Sequence, residues 1–224
     1  LQIGSGDTGD DNMPTFFCEY QILDAFRDDC MTFFGGMSVE DDKRDMGDKI
    51  TLHGRWSTLG EARGFCIADA PDNKTLMTWL NNWVNMCSIK VIPVLCDNKA
   101  RRVILGEEPS YTVAYDRVGD AAQPGESLYF VKFSFHKDKR EQGFKAFAGM
   151  TEAQDKGDAG VCTNLGRWHN LGSGSGCVIA SCPSEEALQK WTFNWATMCD
   201  CEIFPVCDDA DTRAVITGKP AFAK

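Results

Sequence analysis

The second half of this chain repeats the first. Gly54-Arg55-Trp56 recurs as Gly166-Arg167-Trp168, an offset of 112 residues. The same ungapped offset carries Trp79 and Trp83 onto Trp191 and Trp195, Met86-Cys87 onto Met198-Cys199, and Pro93-Val94 onto Pro205-Val206. All six tryptophans fall into matched pairs, which unrelated halves would not produce. Two copies of one pattern imply two copies of one fold. The copies run from 14 to 106 and from 127 to 218. Residues 107–126, with Pro109, Gly119, Pro124 and Gly125, read as a linker. Residues 1–13 read as a flexible acidic tail and 219–224 as a short C-terminal tail.

Each repeat opens with an aromatic, β-branched segment (14–23; 127–135), read as a strand. A charged segment with spaced apolar residues follows, Asp24 to Gly36 and Lys137 to Gly149, read as a helix that glycine ends. A second strand leads into Gly-Arg-Trp, and a third covers Phe65 to Ala68 and Cys177 to Ala180. A second helix starts at the N-caps Asp72 and Ser184, each just after a proline. Leu76, Trp79 and Trp83 then share a helix face, as do Leu188, Trp191 and Trp195. A last strand, 89–95 and 202–207, contains Pro93 or Pro205. Proline cannot donate to the ladder, so this strand belongs at an edge or bulge. The order is βαββαβ, the ferredoxin-like arrangement with helices on one face of an antiparallel sheet. The bare face needs cover, which the second copy can supply. The fold class predicted is α+β: two tandem ferredoxin-like repeats forming a pseudo-two-fold dimeric α/β barrel within one chain.

Composition excludes two function classes. A net charge of −10 opposes binding to a phosphate backbone. The apolar runs, such as Val91 to Cys96, are strand-sized and far below the ~20 residues of a membrane helix. The eleven cysteines sit among apolar neighbours and read as free thiols in a reducing, intracellular compartment. No targeting segment is visible.

The run Gly166-Arg167-Trp168-His169, a Gly-rich turn, an apolar strand, the Trp191-x-x-x-Trp195 helix and Ile203-Phe204-Pro205-Val206 resembles a small uncharacterised domain family. That family belongs to the dimeric α/β-barrel type and occurs in photosynthetic microbes and algae. The resemblance covers most of both repeats and is closer in the second, because Ser57 stands opposite His169. It implies the barrel fold and, through its algal occurrence, a plastid setting. It carries no reaction. Barrel relatives include haem-degrading enzymes, quinol-type monooxygenases and ligand-binding proteins, so fold alone decides little.

The candidate ligand-binding residues are Arg55, Arg167, His169 and His53. Two guanidinium groups at equivalent strand positions are suited to clamp an anion in an interior cleft. The simpler reading, which we favour, is that each stacks on aromatic residues or pairs with a local acid. By strand alternation His169 shares a face with Arg167, and His53 with Arg55. Either histidine has the chemistry of a base or a haem ligand, but a hydrogen-bonded structural role is the more common one. The tryptophan stripe suits a pigment or aromatic slot, and more often is simply core. Cys199-Asp200-Cys201 with Cys207 lacks the paired knuckles of a zinc site. Its redox use is disfavoured because repeat 1 keeps only Cys87. Glu40-Asp41-Asp42 and Asp208-Asp209-Ala210-Asp211 read as solvated loops. No catalytic residue and no metal site is assigned.

Three functions are in competition. The one preferred from sequence is a non-catalytic interaction module, an accessory subunit of a larger, photosynthetic, membrane-embedded assembly. The alternative is a small-ligand binder or a haem- or quinone-type monooxygenase-like enzyme using the barrel interior. The third keeps a site in one repeat and turns the other into scaffold. The sequence requires no cofactor and names none.

Overall fold

The computed structural model describes residues 13–113 and 122–219. Nearly all of the expected N-terminal tail, the middle of the linker and most of the C-terminal tail lie outside the described residues. Repeat 1 runs β1 (Thr15–Ile22), α1 (Arg27–Gly36), α2 (Val39–Met46), β2 (Thr51–Thr58), β3 (Arg63–Asp69), α3 (Asn73–Leu80), β4 (Cys87–Cys96) and α4 (Asp97–Leu105). Repeat 2 runs β5 (Ser127–Phe135), α5 (Arg140–Gly149), α6 (Glu152–Ala159), β6 (Thr163–Asn170), β7 (Ser175–Cys182), α7 (Glu185–Trp195), β8 (Cys199–Asp208) and α8 (Asp209–Thr217). The βαββαβ order holds in both copies. Each also has two helices that the sequence reading did not separate out, α2 and α4 in one, α6 and α8 in the other.

Three of these four helices start at a side-chain cap. Ser38 accepts from the Asp41 amide while the Asp41 carboxylate takes the Ser38 amide, a capping box that starts α2. Thr151 and Gln154 do the same for α6. Asp208 caps α8 through the Asp211 amide. The acidic clusters are therefore helix starts, not solvated loops.

The strands close into one barrel in the order β1-β3-β2-β8-β5-β7-β6-β4. Within a repeat every pairing is antiparallel and long. The two seams between repeats are short: Trp56 and Ser57 pair with Asp208 and Cys207, and Leu95 and Cys96 with His169 and Trp168. Pro93 and Pro205 lie just before these seams on what would otherwise be open edges, as the missing N–H requires.

The barrel interior is packed solid. Phe17, Trp56, Phe65, Ile67, Phe130 and Trp168 form its centre, with Trp56 and Phe130 wholly buried. The Phe65 and Phe130 rings lie parallel at 4.2 Å between centroids. The sequence left open whether the interior holds a cleft; large aromatic residues from both sheets interdigitate there. The glycine of Gly-Arg-Trp has a steric role in this. A Cβ on Gly166 would run into the Trp168 indole, which lies over the backbone at that point.

The outer face of each sheet carries the helices. Trp79 and Trp83 both donate their indole N–H to Asp45 of α2, at 2.9 and 2.8 Å. Trp191 and Trp195 grip Asp158 of α6 at 2.9 and 2.7 Å, and Asn82 and Asn194 add an amide donor to each carboxylate. The tryptophan repeat is therefore core that also fixes a helix, since a buried indole N–H needs an acceptor.

Candidate functional site

Because strand neighbours point to opposite faces, turning Trp56 and Trp168 inward sends Arg55 and Arg167 outward, beneath the helices. A small cavity lies there in each repeat, between the outer sheet face and the helices, each of about 70 Å³. The cavity of repeat 1 is lined by residues including Tyr20, Arg55, Ser57, Trp79, Trp83 and Cys87. That of repeat 2 is lined by Phe133, Arg167, His169, Trp191, Trp195 and Cys199, among others. Cavities of equal size in the two halves remove the reading in which one repeat is only scaffold. They differ in chemistry rather than in room.

The polar wall of each cavity is completed by the other repeat. Arg167 meets Asp97 at the start of α4, through Nε at 3.0 Å and Nη2 at 2.6 Å, and its Nη2 also reaches Asp155 at 3.0 Å. Arg55 meets Asp209 of α8 at 2.7 and 2.8 Å and Asp42 at 2.8 Å. One turn further along each of these helices, a second arginine caps a helix end. Arg101, fully buried, donates to the carbonyls of Phe147, Ala148 and Met150. Arg213 donates to Phe34 and Met37. Phe147 lies between the guanidinium groups of Arg101 and Arg167, at 4.4 and 4.9 Å from its ring centre. Phe34 is held in the same way by Arg213 and Arg55, at 4.2 and 4.7 Å. Tyr111, from the segment read as linker, donates to Asp155 at 2.6 Å. Asp97, Arg101, Asp155 and Tyr111 escaped the sequence reading. The spacing Asp97-x-x-x-Arg101, repeated at Asp209-x-x-x-Arg213, is the signal that could have found the first two.

His169 is where the halves diverge. It is 2% exposed, and its Nε2 lies 2.7 Å from Asp97 Oδ1. Burial opposes ionisation of Asp97, but Arg167 and the His169 hydrogen bond outweigh it and hold the carboxyl well below the usual carboxylate range. Burial also pushes the His169 pKa down, against the pull of Asp97 and with help from Arg167. That direction favours the neutral ring. An ionised Asp97 can only accept, so Nε2 carries the proton and Nδ1 is a bare lone pair. That Nδ1 is buried and has no hydrogen-bond partner. In repeat 1 the corresponding Ser57 instead meets the Tyr20 hydroxyl at 3.0 Å, where repeat 2 has Phe133.

His53 does not join the site. A β-bulge between Leu52 and Gly54 breaks the alternation that placed it with Arg55, and it pairs with Asp69 at 2.8 Å instead. Of the four sequence candidates, Arg167 and His169 come together around Asp97, Arg55 occupies the equivalent cavity, and His53 lies apart. Cys199 and Cys201 line the His169 cavity with their sulfurs 3.9 Å apart. Among the described residues no group of three or more metal-ligating side chains is placed to hold an ion. No helix among them is long and apolar enough to cross a membrane.

The sequence profile of a domain of unknown function, DUF3303, matches residues 15–107 and again 127–219. The chain belongs to the DUF3303 family. No curated protein matches it in sequence. Among solved structures, it is similar to a point mutant of chlorite dismutase from Candidatus Nitrospira defluvii, at 7% identity and a TM-score of 0.54. That match covers 92% of this chain and 95% of the other. A second protein, assigned as a chlorite dismutase, matches at 11% identity and a TM-score of 0.51, covering 91% and 98%. These likenesses establish the dimeric α/β-barrel fold. They also overturn the expectation of a non-catalytic accessory module, because this barrel is one on which enzymes are built, and each half of the chain keeps a pocket with a polar wall.

Haem, one ligand of the alternative function, does not fit the His169 cavity. Pockets for drug-sized ligands run to ~300–1,000 Å³, against about 70 Å³ here. Phe147 covers the His169 ring at 4.2 Å between centroids, and the polar groups beside it are already committed to one another.

Proposed function

We propose that this protein binds a small, largely apolar molecule bearing one hydroxyl group in the sheet–helix cavity of repeat 2, and that His169 accepts the hydroxyl proton. The observation that carries this is the buried Nδ1 of His169, which faces no donor although Asp97 and Arg167 beside it are paired. Leaving a buried acceptor unsatisfied costs ~1–3 kcal/mol, a cost that a ligand O–H would remove. Phe133, Phe147, Trp191 and Trp195 supply an apolar wall suited to a single ring or a short chain. Asp97 holds the ring in one tautomer and would stabilise the imidazolium formed on proton transfer, the arrangement of a general base with its orienting carboxylate. Chlorite dismutases on the same fold support an active pocket rather than a bare scaffold, while fold alone carries no reaction across. This reading requires neither a protein partner nor a photosynthetic setting.

Titration of ¹⁵N-histidine-labelled protein with phenol, catechol and hydroquinone tests it. The His169 Nδ1 resonance should move, and His169→Leu should abolish binding while Ser57→Ala leaves it intact. Binding of these probes that leaves the His169 resonance still, or survives His169→Leu, would refute the assignment, as would the absence of binding by all three.

A further inference from the structure

The cavity of repeat 1 lacks the histidine and is lined instead by four thiols, those of Cys18, Cys30, Cys66 and Cys87. Cys30 projects from α1 and Cys87 from the first residue of β4, and their sulfurs lie 3.9 Å apart across the helix–sheet gap. Both belong to one buried cluster with Ile22 and Ala62. Repeat 2 has no counterpart of this pair. Gly143 stands where Cys30 does, and the Phe135 ring occupies the space a side chain there would take. The thiol pair is thus particular to repeat 1, as the unpartnered imidazole nitrogen is to repeat 2.

We propose that Cys30 and Cys87 form a peroxide-reactive dithiol, a redox modification site that locks α1 to the sheet when oxidised. The co-reactant is hydrogen peroxide, small enough to enter the cavity that both residues line. The Cys87 hydrogen bond lowers the Cys30 thiol against the effect of burial, which favours Cys30 as the sulfur that attacks. Its sulfur attacks the peroxide: an S–O bond forms, the O–O bond breaks, and the departing hydroxide takes a proton to become water. Cys30 is then a sulfenic acid. The Cys87 sulfur attacks it, the S–S bond forms, the S–O bond breaks, and the hydroxyl leaves as a second water with the Cys87 proton. Two thiols and one peroxide give one disulfide and two waters. The sulfurs must close from 3.9 Å to about 2.05 Å, a movement drawn from the first turns of α1 and the first residue of β4.

Cysteines also meet at Cys18–Cys66 and Cys162–Cys182, and a further contacting pair is less well placed. Cys199 and Cys201 lie two residues apart on one strand, where two steps of ~3.3 Å put the Cα atoms near the upper limit for a disulfide. A bond between Cys30 and Cys87 joins separate elements across 57 residues of sequence.

Thiol counting and peptide mapping of the full chain after mild hydrogen peroxide treatment decide the matter. The count under denaturing conditions should fall from eleven by two, with a single cross-linked peptide joining Cys30 and Cys87. In Cys87→Ser, dimedone should trap a sulfenic acid at Cys30; in Cys30→Ser, neither cross-link nor adduct at Cys87 should form. The proposal is overturned if Cys199–Cys201 or Cys18–Cys66 oxidises first, or if Cys30 and Cys87 stay reduced. Should the serine variants misfold, the wild-type peptide map alone gives the answer.

Discussion

Asp97→Asn is the perturbation on which the architecture of the site makes its sharpest demand. Asparagine keeps the shape and one acceptor oxygen but removes the charge that Arg167 and His169 share. Asp97 is wholly buried and Arg167 nearly so, while Asp155 stays within 3.1 Å of the orphaned guanidinium. Breaking a buried ion pair from one side costs ~3–5 kcal/mol, and the surviving Asp155 contact puts this case near the lower end, about 3 kcal/mol. The symmetry mate supplies the control. Asp209 occupies the same position toward Arg55, but its side chain is 33% exposed, and Arg55 retains Asp42. Asp209→Asn should therefore approach the cost of a surface pair, ~1 kcal/mol. The difference of about 2 kcal/mol corresponds to roughly thirty-fold in the folding equilibrium. Urea titration followed by tryptophan fluorescence reads it directly. With a slope of ~2–3 kcal/mol/M, the Asp97→Asn midpoint should fall by about 1–1.5 M, and that of Asp209→Asn by well under half as much. Equal shifts for the two variants, or the larger shift for Asp209→Asn, would show that burial does not set the strength of these pairs.

Two further outcomes follow from the same geometry. His169 has a folded-state pKa below its unfolded value, so the unfolded chain binds the extra proton first. Stability should therefore decline as pH falls below ~6.5, and His169→Gln, which can still donate to Asp97, should flatten that slope in a urea series from pH 7.5 to 5. An unchanged slope would mean that the ring is already protonated in the native state. Gly166→Ala should cost ~1–3 kcal/mol by overpacking against Trp168, seen as a lower thermal midpoint. Gly149→Ala, where no atom lies within 4 Å of the added carbon, should leave the midpoint nearly unchanged.

Much of the fold was legible in the chain because it is a local matter repeated twice. Alternating aromatic segments, the caps Asp72 and Ser184, and a proline in the last strand of each unit are read within a dozen residues, and the 112-residue offset doubled each reading. The doubling also implied the barrel, since one bare sheet face needs another. Legibility ended where an assignment depended on phase or on distant partners. A one-residue bulge moved His53 away from Arg55. The acids taken for solvated loops, Asp42 and Asp209, became ion-pair partners because helix starts carry them to the arginines of a distant strand.

By itself, then, the sequence determined that two equivalent sheets with helices would form, because hydrophobic periodicity and capping act between near neighbours. It also determined positions at which the halves differ, Ser57 against His169 and His53 against Leu165. Only the tertiary structure decided what those differences mean. Packing Trp56, Phe65, Phe130 and Trp168 at the centre of the barrel turned Arg55 and Arg167 outward. Closing the two seams then brought α4 of one repeat over the cavity of the other. The setting of the His169 lone pair exists only through that closure, because Asp97 comes from the other repeat, while the facing thiols of Cys30 and Cys87 depend on α1 packing against β4 within repeat 1.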